Sequence, residues 1–65
     1  MPYTSKDLIK IVEEDEWYLV KVNGSHHKFK HATKKGIVVI PHPKKEVPVG
    51  TANNILRQAG LKQEV

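Results

Sequence analysis

Sixty-five residues carrying 11 Lys and Arg against 7 Asp and Glu give a net charge of +4, and the chain has no cysteine. A chain this short forms one domain with a thin core, burying only about 60% of the surface its unfolded form exposes, and without thiols it has neither disulfide staples nor thiolate metal sites. No apolar run approaches the roughly 20 residues of a membrane span, and the N-terminus lacks the apolar core of a signal peptide, so the expectation is a soluble cytoplasmic protein with an acidic or polyanionic partner.

The first element reads as a helix from Ser5 to Asp15. Thr4 followed by Asp7 approximates a capping box, with Asp7 against the positive end of the dipole. Leu8, Ile9, Ile11 and Val12 form one apolar face, opposite Lys10, Glu13 and Glu14. The acidic cluster Glu13 to Glu16 lies at the helix C-terminus, where the dipole disfavours it. Trp17 to Val22 is aromatic and β-branched, a strand, and Asn23-Gly24 suits a two-residue type I′ turn. A second strand then runs from Ser25 to His31 and a third from Ile37 to Ile40, joined by the polar connection Ala32 to Gly36. Pro41 to Pro48 holds three prolines, which belong in a stiff surface connector rather than in a central strand. The last helix begins between Val49 and Thr51 and buries Ala52, Ile55, Leu56 and Ala59. Gly60 ends it, Leu61 folds back on the core, and Lys62 to Val65 fray. Two helices with one apolar face each pack together on one side of a three-stranded antiparallel sheet, leaving the other face open as a candidate binding surface.

Three of the four histidines fall between His26 and His31, interleaved with Lys28, Phe29 and Lys30. Strand alternation puts His26, Lys28 and Lys30 on one face and His27, Phe29 and His31 on the other. Phe29 belongs toward the helices, so His26 and its lysines are the exposed set. A bulge near Gly24 would exchange His26 and His27. An imidazole titrating near neutral pH can take the proton of a ribose 2′-OH or protonate a leaving 5′-oxygen. Lysines supply charge where the phosphorane turns negative. Ser25 can donate to a phosphate oxygen, and Gly24 lets the backbone approach closely. The 2′-OH is the nucleophile, so such chemistry needs no metal or other cofactor and leaves DNA intact. The plainer reading of any single histidine is a solvated or hydrogen-bonded structural residue. A shared metal ion is disfavoured because His27 and His31 stand about 13 Å apart along a strand, and bonds of about 2 Å cannot span that. Lys34, Lys35, Lys44 and Lys45 read as solvated loop cations able to hold a polyanion electrostatically.

Asp15-Glu16-Trp17, Gly24 to His31, Gly36 to Lys45, Gly50-Thr51 and Ile55 to Leu61, in that order, resemble the HicA toxins of HicA–HicB toxin-antitoxin systems. The resemblance covers about Leu8 to Leu61. It implies an α+β, double-stranded-RNA-binding-domain-like (dsRBD-like) fold ordered helix-strand-strand-strand-helix. It also implies an mRNA interferase that arrests translation, restrained by a HicB-type antitoxin. The catalytic residue implied is the histidine after Gly-Ser, here His26 with Gly24 in support and His27 as the fallback. Ser25, Lys28, Lys30, Lys44 and Lys45 are the RNA-binding candidates. Glu16 stands where the family commonly has glycine, a substitution costing on the order of 1 kcal/mol if that position is a left-handed cap; Ala32 replaces a frequent proline. The alternative function is a non-catalytic module that recognises double-stranded RNA by shape.

Overall fold

In the computed structural model, which describes residues 3–61, the order is α1 (Ser5–Glu14), β1 (Tyr18–Asn23), β2 (His26–Lys30), β3 (Val38–Pro41) and α2 (Val49–Gln58). This is the α+β order expected, in an antiparallel sheet β1-β2-β3 with the histidine strand at its centre. The expectation of a frayed tail from Lys62 to Val65 lies outside the described residues.

α1 starts where the capping box predicts. Thr4 Oγ1 accepts from the Asp7 amide and Asp7 accepts from the Thr4 amide, each at 3.1 Å. Both helices end in the same device. In α2 the Gly60 amide donates to Arg57 and the Leu61 amide to Leu56, with Gly60 at φ +73°, the Schellman arrangement. In α1 the Glu16 amide donates to Glu13 and the Trp17 amide to Val12, and Glu16 itself takes φ 73°. Glu16 is thus a left-handed cap built from a residue poorly suited to it.

The core joins Leu8 and Val12 of α1, Ala52, Ile55 and Leu56 of α2, and Phe29, Val38 and Ile40 of the sheet. In the register, Phe29 faces Val38 and His27 faces Ile40, so the buried sheet residues share one face and both helices lie over it. Sheet-to-helix packing is concentrated on β3. β1 lies outboard, where Leu19, Val20 and Val22 remain 46–50% exposed. Its apolar composition reflects an edge strand, with a bulge between Leu19 and Lys21, while Trp17 just before it is buried.

Two expectations change. Asn23 pairs with His26, so the two loop residues of the hairpin are Gly24-Ser25 rather than Asn23-Gly24. Among these, positive φ falls on Gly24 alone (+58°), which fits a type II′ turn with glycine at its first central position. This register also places Val22 opposite His27 and Leu19 opposite Phe29. The connector after β3 is not simply a surface strap. The Val47 amide donates to the Tyr3 carbonyl at 2.6 Å, and Val47 is completely buried. One apolar residue among prolines and lysines carries no periodicity, so its burial left no pattern to read.

Candidate active site

The hairpin register divides the histidine motif between two faces. Residues paired across an antiparallel ladder project to the same side. His26 lies opposite Asn23 and Pro41, and Lys28 opposite Lys21 and Val39; Lys30 faces Tyr18. His26, Lys28 and Lys30 therefore occupy the open face, as alternation predicts, joined there by Lys21. Lys21 directly opposite Lys28 is an unfavourable like-charge pair in a free protein, and an anionic strand laid across the face would relieve it.

The opposite face holds a different group. The His42 amide donates to the Ser25 carbonyl at 2.7 Å, extending the β2-β3 register one residue past Pro41. That brings His42 to the helix side of the sheet beside His27. Their ring centroids are 5.0 Å apart at 87°. His27 Nδ1 is buried without a hydrogen-bond partner. His42 Nδ1 lies 2.7 Å from Ser5 Oγ. Ser5 is 2% exposed, and its hydroxyl accepts from the Lys44 amide at 2.9 Å while its own amide donates to the Lys44 carbonyl at 3.0 Å. The start of α1 thus pins the segment after β3. Beside it opens a cavity of ≈ 460 Å³ lined by Ser5, Lys6, His42, Lys44 and Lys45.

The residues singled out in the sequence are thereby separated. Lys28 and Lys30 accompany His26 on the open face, whereas Lys44 and Lys45 accompany His42, next to His27. Gly24 and Ser25 form the turn at the end where the two faces meet. Nothing in the sequence ties His42 or Ser5 to the histidine strand, because that depends on the register. His42 is isolated between prolines and Ser5 resembles any first-turn serine, so only the 37-residue tertiary contact links them.

His31 has another role. Its Nε2 lies 2.7 Å from the Asp15 carbonyl, and its Nδ1 is 3.1 Å from the amides of both Thr33 and Lys34. A carbonyl only accepts and an amide only donates, so the proton is on Nε2 and the ring closes the β2-β3 loop. Its edge packs on Trp17 at 5.2 Å between centroids. Lys34, expected to be a solvated loop cation, instead bridges the helix ends, donating to the Asp15 carboxylate and to the Ala59 carbonyl. A cation at two helix C-termini is favourable to both dipoles. This also accounts for Asp15 in the acidic cluster: the hydrogen bond from Lys34, aided by its charge and by Trp17, holds the Asp15 carboxyl below its ordinary range despite partial desolvation.

Among the described residues no three His, Cys, Asp or Glu side chains converge as a metal site, and no helix is long and apolar enough to cross a membrane. The family described as "HicA toxin of bacterial toxin-antitoxin" matches residues 5–61. The chain belongs to the HicA toxin family. Comparison with curated proteins finds no match. The HicA match extends from Ser5 to Leu61, so it takes in both histidine groups, the serine that holds His42 and the two helix caps. Membership implies pairing with an antitoxin.

Proposed function

We propose that this HicA toxin is a metal-independent endoribonuclease that cuts mRNA through a histidine of the Gly24-Ser25-His26-His27 motif and so arrests translation. The observation that carries this reading is the placement of His27 against His42, 5.0 Å between centroids, beside a cavity lined by Lys6, Lys44 and Lys45. Strand alternation favoured His26 because it is exposed. We weight His27 above His26 because His27 packs against the second imidazole, His42, which borders the cavity together with Lys6, Lys44 and Lys45. His26, with Lys21, Lys28 and Lys30, is assigned to the RNA backbone. In this reading Lys44 and Lys45 hold phosphate oxygens near the scissile bond and Ser25 and Gly24 shape the approach to it. A HicB-type antitoxin acts by covering this end of the sheet.

Purified protein should cleave RNA in EDTA and leave DNA intact. His27→Ala should be folded and inactive, while His26→Ala should bind RNA more weakly yet still cut it. Loss of cleavage in folded His26→Ala with full activity in His27→Ala would return the site to the open face. A fully active, folded double variant would refute histidine catalysis. The opposed Lys21 and Lys28 favour a second reading, a module that binds RNA without cutting it; binding with no cleavage under any condition would support that.

A further inference from the structure

RNA transesterification moves two protons, one from the attacking 2′-hydroxyl and one to the departing 5′-oxygen. We propose that His42 is the second proton-transfer group, held in place by Ser5, and that it protonates the 5′-oxygen while His27 takes the 2′-hydroxyl proton. This assignment rests on the ribonuclease reading above.

Both oxygens are apical on one phosphorus, and each must come within about 3 Å of its imidazole nitrogen. The two rings must therefore be close neighbours, as His27 and His42 are at 5.0 Å. The hydrogen bonds decide which nitrogens work. His27 Nδ1 is buried, which leaves Nε2 as the atom that can reach solvent or substrate. His42 Nδ1 is committed to Ser5 Oγ at 2.7 Å, which again leaves Nε2.

The serine contact suits a proton donor in particular. A hydroxyl has one proton and two lone pairs. One lone pair of Ser5 Oγ accepts from the Lys44 amide. The remaining lone pair accepts from His42 Nδ1–H, a proton that stays on the ring when Nε2 gives up its own. The ring keeps its anchor on either side of the transfer. His27 has no comparable partner at Nδ1, so the ring that begins the step with two protons is His42.

In the step itself, the O2′–P bond forms as the P–O5′ bond breaks. The proton of O2′ passes to His27 Nε2, and the proton of His42 Nε2 passes to O5′. The products are a 2′,3′-cyclic phosphate and a free 5′-hydroxyl. Solvent exchange then restores both rings. Lys44 and Lys45 line the cavity that His42 borders, and their charge would stabilise a dianionic phosphorane formed there. Ser5 touches no reacting atom and is a positioning residue.

A leaving group that needs no proton separates these roles from a structural one. Wild-type, His42→Ala, His42→Gln and Ser5→Ala proteins are compared on RNA and on a nucleoside 3′-(4-nitrophenyl phosphate), with folding checked by circular dichroism. On RNA, both His42 variants should lose about 10²- to 10⁴-fold in kcat/KM, the usual worth of a general acid, together with the basic limb of the pH profile. On the nitrophenyl ester the loss should stay below about tenfold, because nitrophenoxide departs unaided. Ser5→Ala should lower kcat on RNA with little change in KM and spare the ester. Equal losses on the two substrates, or undiminished RNA cleavage by a folded His42 variant, would overturn the assignment while leaving the ribonuclease reading intact. A wild-type protein inert toward both substrates would overturn that reading and this one together.

Discussion

Glu16 stands at the C-terminal cap of α1 with φ 73°, in a complete Schellman hydrogen-bond pattern, and replacing it by glycine should stabilise the fold. The left-handed conformation costs an L-residue with a Cβ about 1–2 kcal/mol. Glycine returns about 0.4–1 kcal/mol of that through the greater freedom of its unfolded chain, so the net gain from relieved strain is about 1 kcal/mol. Glu16 also places a negative charge at the negative end of the helix, an effect of about 0.3–1 kcal/mol that alanine removes equally. The informative comparison is therefore Glu16→Gly against Glu16→Ala, where charge cancels and strain remains. In a domain of this size about 1 kcal/mol moves the melting temperature by roughly 4–8 °C. Thermal unfolding followed by circular dichroism should place the glycine variant above the alanine variant by that margin. Equal melting temperatures would show that the backbone at this cap is unstrained and that only the charge matters.

The matching cap at Gly60 should respond in the opposite direction. A Cβ there would lie 3.3 Å from Lys34 Nζ in addition to adopting φ +73°, so Gly60→Ala should lower stability by about 1–2 kcal/mol in urea titration, and an unchanged midpoint would refute the constraint. Val47→Ala removes two methyl groups from a completely buried site and should cost about 2 kcal/mol; a loss within a few tenths would mean the connector is not anchored through it. Asp15 has a folded-state pKa below the ordinary 3.8 because of Lys34, so its stabilising contribution is present above about pH 4 and is lost as pH falls through the lower folded value. Melting temperatures measured from pH 6 downward should accordingly decline less steeply in Asp15→Asn than in the wild type, and parallel curves would refute the linkage.

Local chemistry carried much of this protein's organisation into its sequence. The Thr4 and Asp7 capping box, the apolar stripes of both helices and Gly60 at the end of α2 are all set by contacts within a few residues, so they are legible without a partner segment. Alternation likewise divided His26, Lys28 and Lys30 from His27 and Phe29, because a strand's two faces follow from covalent geometry. Glu16 as a strained cap was signalled only by the family resemblance, in which that position is commonly glycine.

Register and long-range packing decided the rest. Whether the hairpin turns at Asn23-Gly24 or at Gly24-Ser25 depends on which pairing buries Phe29 against the helices while Leu19 stays opposite it, and that is a property of the assembled sheet. Lys34 became a tie between two helix ends only because those ends converge. The sequence by itself determined that a histidine strand flanked by lysines sits at the centre of a small α+β domain. Only the tertiary structure decided which histidine has company, because His27, His42 and Ser5 are brought together by contacts that span 15 and 37 positions of the chain and leave no local trace.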